Sequence, residues 1–190
     1  MSKNENNDAF IKALLAMDDR AYGLLLEEFE ASLYRFFYYS HRDHQLAQDQ
    51  CSETFIRFIG AISNMNKKTD KTIKPFIFGI ARNVLMQHFR KKDLAVADLS
   101  NAEHLPGNSP SALQMLIKQE RFHNALSAID QFQYPQKQIM LLRFVEQLKL
   151  DHISSVMDVP LSSVKAHLYR GREKLRNILQ TENIPDRSQK

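Results

Sequence analysis

The stretch "DVPLSSVKAHLYRGREKLRNIL", residues 158–179, decides how the chain is read. Val164, Leu168, Gly171, Leu175 and Ile178 recur at intervals of four and three, one face of an α-helix. The remaining faces carry Lys165, Arg170, Arg172, Lys174 and Arg176, offset between 161 and 180 only by Glu173. One side of this helix docks on a core while the others present positive charge, which calls for an acidic partner.

The preceding "LDHISSVM" has its own inner face in Ile153, Val156 and Met157. Asp158 stands at the turn, where Gly is usual, and Asp tolerates the left-handed conformation better than most residues. Val159 fills the corner. Two short helices around a tight turn form a helix-turn-helix, whose second helix brings its first residues to base edges. Opposite the inner stripe lie Ser162, Ala166, Tyr169 and Arg170, with Ser163, Lys165, His167 and Arg172 on the flanks. Small hydroxyl and methyl groups in front, with phosphate-seeking groups on the shoulders, suit a major-groove reader. Ser162 and Ser163 also sit at a helix start, where free N–H groups favour a phosphate. The plain alternative is a surface helix with a solvated basic face.

The rest of the chain supports an all-α fold. It has 190 residues, 43% hydrophobic and 25% charged, with five Gly, six Pro and little strand-like alternation. Helical spacing runs through 18–40, 45–62 and 74–92, dissolves over "DLAVADLSNAEHLPGNSPS", and resumes at 111–129 and 135–148. Two helical domains joined by a flexible linker are therefore expected, over 1–92, 93–111 and 112–190. On the 45–62 helix Ala47, Cys51, Phe55, Phe58 and Ile62 form the inner stripe. On the 74–92 helix the inner face is Ile77, Ile80, Ala81, Val84 and His88.

Net charge is only +4, but its distribution is uneven. Residues 18–56 hold eight acids against Arg20, Arg35 and Arg42, whereas 64–92 hold eight bases against Asp70. Segregation of this kind implies separate surfaces for separate partners. Opposite the 45–62 stripe lie Asp49, Glu53 and an outward Ile56, with Ser52 beside them, a combination suited to a protein contact. In the basic segment Lys67, Lys68, Lys71 and Lys74 are spaced to track phosphates, joined by Arg82, Asn83 and Arg90 on the helix that follows. Phe78 is the nearest aromatic for stacking on an exposed base, with a core role as the alternative.

Other features carry no chemistry of their own. The single Cys51 excludes a disulfide framework within one chain, and there is no CxxC pattern. His41 and His44 lack a third ligand at metal spacing, so neither a metal nor a cofactor is expected. No nucleophile motif frames the Ser, His and Asp residues, so the chain is not expected to be an enzyme. The start, "MSKNENNDAF", lacks the order of a signal peptide, and no apolar run approaches the ~20 residues that span a bilayer. A cytoplasmic protein without membrane insertion is the expectation.

At this point a family resemblance emerges. Residues 136–179, through "LKLDHISSVMDVPLSSVKAHLYRGREKL", resemble the C-terminal domain of bacterial RNA polymerase sigma factors of the two-domain, extracytoplasmic-function (ECF) type. Ser154, Asp158 and Ser163 depart from the usual Ala, Gly and Thr. "AQDQCSETFIRFI" (47–59) and "PFIFGIARNVLMQHFRKK" (75–92) are similar to segments of that family's N-terminal domain, with Cys51, Ser52 and Phe76 as departures. The resemblance implies a promoter-specificity subunit that binds core RNA polymerase through the Asp49, Ser52, Glu53 and Ile56 face. It implies −35 reading by the helix-turn-helix, capture of a melted −10 base by the basic segment, and control by an anti-sigma factor. An autonomous helix-turn-helix regulator is the alternative. It would need neither the acidic face nor the basic segment. An adaptor or anti-sigma-like module would have no use for the basic helix.

Overall fold

Asp18 opens the longest helix of the first domain. Its carboxylate accepts from the N–H groups of Arg20 at 2.8 Å and Ala21 at 3.1 Å, satisfying donors that a helix start leaves unpaired. The computed structural model describes residues 3–65, 72–94 and 124–182. All its elements there are helical. Helix α1 spans Lys3–Leu15, α2 Asp19–His41, α3 His44–Met65 and α4 Ile73–Leu94. Residues 124–130 form α5; α6 is Gln136–Met140, α7 Leu150–Met157 and α8 Leu161–Glu182.

Sequence periodicity locates α2, α3 and α4 to within a few residues, but not α1. The turn of Asp18 and α1 are joined locally: Asp18 N–H donates to the Ala13 carbonyl, and Tyr22 Oη to that of Leu14. Ile11 and Leu14 drop into the core between α2 and α3. The 93–111 linker and residues 111–123 of the expected 111–129 helix lie outside the described residues, apart from 93 and 94, which end α4.

Apolar stripes define the first core. Leu25, Phe29, Leu33, Phe36 and Phe37 from α2 are buried with Ala47, Cys51, Phe55, Phe58 and Ile62 from α3, the stripe expected of that helix. Helix α4 adds Ile77, Ala81 and Val84, but also Phe78 and Leu85, both fully buried. Phe78 packs edge-on to Phe36, with ring centroids 5.6 Å apart. It is therefore a core residue, and each such phenyl contributes roughly 2–3 kcal/mol of burial.

Two half-buried histidines beside this core are paired. His41 Nε2 donates to Gln50 Oε1 at 2.9 Å, while its Nδ1 accepts from the Asp43 N–H at 3.3 Å. A ring that donates from one nitrogen and accepts at the other is neutral, and burial holds the His41 pKa below its ordinary value. His44 accepts or donates at Tyr34 Oη. Both histidines of "SHRDH" are thus committed to the fold.

In the second domain α6 continues into a π-helical turn over Leu141–Val145, where Glu146 N–H reaches the Leu141 carbonyl at 3.1 Å. Its core joins Leu126, Ile129, Phe132, Ile139, Met140 and Leu142 to Ile153, Val156, Met157, Val164 and Leu168. The two domains also pack on each other. Helix α7 lies along α4, and α6 with the π-helical turn lies against α2.

Candidate nucleic-acid interface

The geometry of the helix-turn-helix is set by Asp158. It adopts φ 53° and ψ 48°, the left-handed region, and its N–H caps α7 on the Ser154 carbonyl. Ser154 Oγ then donates to the Val159 carbonyl at 2.6 Å, closing the turn from the other side. Ser154, one of the departures from the family pattern, thus has a use that Ala lacks. The Pro160 carbonyl accepts from the N–H groups of Ser163 and Val164, which starts α8.

From that start, α8 buries Val164, Leu168 and Gly171 and half-buries Leu175 and Ile178. Gly171 sits at a close approach: a Cβ there would stand 2.5 Å from Met140 Sδ, and that side chain would have to shift. Opposite, Ser162, Lys165, Tyr169, Arg170 and Arg172 are exposed, Tyr169 to 70%. Ser163, Ala166 and His167 are half-buried at the edges. His167 differs from the phosphate-seeking shoulder expected of it. Burial and the neighbouring Arg170 hold its pKa below the ordinary value, so near neutral pH it offers a hydrogen bond rather than charge. Arg172 lies over the Phe144 ring at 5.5 Å, and Lys174 over Phe132 at 4.9 Å, so their cations are positioned by aromatic faces.

The candidate protein-binding face of α3 is fully outward. Asp49, Ser52 and Glu53 are exposed, and Ile56 is 71% exposed. Arg57 moderates the acidity expected there: it pairs with Glu53 at 2.5 Å and reaches Gln87 of α4 at 2.7 Å. Gln45 donates to Asp49 at 3.2 Å.

Of the candidate residues in the basic segment, Lys67, Lys68 and Lys71 lie outside the described residues. Asn83 and Arg90 are exposed. Lys74 and Arg82 face the second domain. Lys74 Nζ donates to the Glu146 carbonyl at 2.7 Å and stands 3.8 Å from its carboxylate; Arg82 donates to Tyr134 Oη at 2.9 Å. Sequence reading missed this interface. Glu146 is 2% exposed, also facing Arg35 at 3.5 Å, and burial raises its pKa against the pull of Arg35 and Lys74. Asp130 bridges Arg42 and Lys137. No local periodicity marks such residues, because their partners lie far away in sequence.

Comparison with known proteins settles the family. Residues 25–94 match the profile described as Sigma-70 region 2, and residues 123–175 the one described as Sigma-70, region 4. The chain belongs to the ECF-type sigma factors. It is 22% identical over 173 residues to the ECF RNA polymerase sigma factor SigX of Bacillus subtilis, covering 85% of each chain. It is 24% identical over 189 residues to the RNA polymerase sigma-H factor of Pseudomonas aeruginosa, covering 95% of this sigma factor and 97% of that one. Its fold is that of the sigma factor RpoE of Bartonella quintana, solved in complex with the anti-sigma factor NepR. The TM-score is 0.67 at 17% identity, covering 84% of this sigma factor and 96% of that chain. No helix among the described residues is long and apolar enough to cross a membrane.

Proposed function

We propose that this sigma factor divides promoter recognition between two domains, 1–92 and 112–190, while polymerase supplies the chemistry of RNA synthesis. Helix α8 enters the major groove of the −35 element. Ser162, Ala166, Tyr169 and Arg170 face the bases, and Ser163, Lys165, His167 and Arg172 sit over the flanking backbone. What supports this most is the left-handed turn at Asp158, which sets α8 on its core with the polar face of Ser162, Tyr169 and Arg170 outward.

Core polymerase docks on Asp49, Ser52, Glu53 and Ile56. An exposed apolar side chain within an acidic rim fits a partner with a basic surface around an apolar spot. The segment from Lys67 through Arg90 holds melted −10 DNA, Lys67, Lys68, Lys71, Lys74, Arg82 and Arg90 meeting phosphates and Asn83 a base edge. Phe78 is committed to the core, so stacking on an extruded base falls to other groups. The protein works in the cytoplasm and answers to an anti-sigma factor, a reading supported by its Bartonella relative, which was solved bound to one. It carries out no catalysis of its own.

The test is a promoter library transcribed by core polymerase with and without this chain. Run-off products that require the chain, and that disappear with Arg170→Ala, are expected. Chain-independent products, or tight duplex binding with no transcription, would contradict the proposal.

A further inference from the structure

Arg57 stands between the two surfaces that the first domain is proposed to use. It lies one turn after Glu53 on α3. Its Nη2 donates both to Glu53 Oε1 at 2.5 Å and to Gln87 Oε1 of α4 at 2.7 Å. Glu53 belongs to the exposed face that carries Ile56, whereas Gln87 belongs to the outward row of α4. Asn83, Gln87 and Arg90 recur in that row at intervals of four and three, and all three are exposed. A single guanidinium therefore joins the candidate polymerase face to the candidate −10 face.

The two carboxylates of the α3 face differ in consequence. Asp49 accepts from the neutral amide of Gln45 at 3.2 Å, which leaves its charge in place for a partner. Glu53 is matched by a cation of its own helix. With side chains 36% and 48% exposed, the Arg57–Glu53 pair is weak in water and open to exchange. A basic side chain of polymerase that approaches Glu53 competes with Arg57 for the same carboxylate. Once displaced, Arg57 is still tethered to α4 by Gln87, and its freed N–H groups lie beside Asn83 and Arg90, where they suit phosphate oxygens.

We propose that Arg57 is a relay between the two surfaces: it holds Glu53 in the free chain, and polymerase docking hands it to a phosphate of the melted −10 strand. The inference rests on the polymerase and −10 readings given above. It makes the two binding events mutually favourable, since DNA that takes Arg57 leaves Glu53 bare for polymerase, and the reverse. It also gives Arg57 opposite effects on the two partners. Toward polymerase it is a competitor, and toward DNA it is a ligand. A residue that merely held α3 on α4 would affect both in the same direction.

Arg57→Ala in the full chain separates these roles. Core-polymerase affinity should rise about two- to fivefold at low salt. That rise should vanish in a double-mutant cycle when Glu53 is replaced by Gln. With holoenzyme on a pre-melted promoter, Arg57→Ala should flatten the log–log salt dependence by about 0.7, the value of one phosphate contact. Arg57→Lys, which keeps the charge, should restore that slope.

Weaker polymerase binding by Arg57→Ala, or a gain that persists beside Glu53→Gln, overturns the competition. An unchanged salt slope overturns the transfer to DNA. Urea unfolding shows whether α3 and α4 stay packed; where Arg57→Ala loosens them, Arg57→Gln, which keeps an amide donor for Gln87, gives the same two readouts. Failure of the underlying readings shows elsewhere. Glu53→Gln alone would then leave polymerase affinity unchanged, or Asn83→Ala with Arg90→Ala would leave holoenzyme binding to the pre-melted promoter unchanged.

Discussion

At the residue scale, three positions reveal what the fold demands. Asp158 holds a left-handed conformation that costs an L-residue roughly 1 kcal/mol, least for Asn and Asp. Asp158→Val, which adds branching at Cβ, should lower stability by more than about 1 kcal/mol in urea denaturation, whereas Asp158→Gly should change it by less than about 1 kcal/mol. Equal stability of the two variants would remove the turn argument. Gly171 exists for Met140: Gly171→Val forces that buried sulfur aside and should cost about 1–3 kcal/mol despite better helix propensity. Cys51 is inert, since burial pushes its thiol up to about 12. Alkylation at pH 8 should track global unfolding, with a slope in denaturant matching that of the helical signal. Rapid labelling of the native protein would contradict its place in the core.

Among the helices, the elements legible in the sequence were those that bury a stripe within their own length. The stripes of α3 and α8 were read from spacing alone, because 3.6-residue periodicity and burial are the same fact seen twice. Helix α1 escaped because its start is polar and, among its described side chains, only Ile11 and Leu14 dock fully. Phe78 and Leu85 widened the inner face of α4 beyond a single stripe, since α4 is packed between α3 and α7. The outward faces yield two further predictions. Asp49→Ala with Glu53→Ala should weaken core-polymerase binding in a titration, and unchanged affinity would remove that face from the polymerase contact. On the DNA side, each of Lys67, Lys68 and Lys71 replaced by Ala should flatten the log–log salt dependence of single-strand binding by about 0.7. A slope that stays constant would exclude phosphate contact.

For the whole molecule, the sequence pattern supported two helical bodies but concealed how they meet. Arg42 with Asp130 and Lys74 with Glu146 pair residues more than 70 positions apart, and no window of sequence joins them. Burial raises the pKa of Glu146, with Arg35, Lys74 and Ser32 facing it and pulling the other way. A carboxyl whose folded pKa is raised contributes stability to the fold that is fully present below its unfolded value near 4.5. That contribution is lost as pH rises through the folded value. The Glu146 contribution to the free energy of unfolding, measured in urea, should therefore diminish as pH rises through the range above 4.5. Glu146→Gln should remove that part of the pH dependence, since it resembles the protonated acid; an unchanged profile would contradict the assignment.

The most direct measurement is a footprint of reconstituted holoenzyme on a promoter it selects, combined with permanganate probing for unpaired thymines. Protection near −35 and unpaired bases near −10 are predicted, both requiring core polymerase and this chain together. Loss of −35 protection should follow from Ser162→Ala with Arg170→Ala. A duplex that stays paired throughout, or the same footprint from this chain without polymerase, would contradict the division of labour between the two domains.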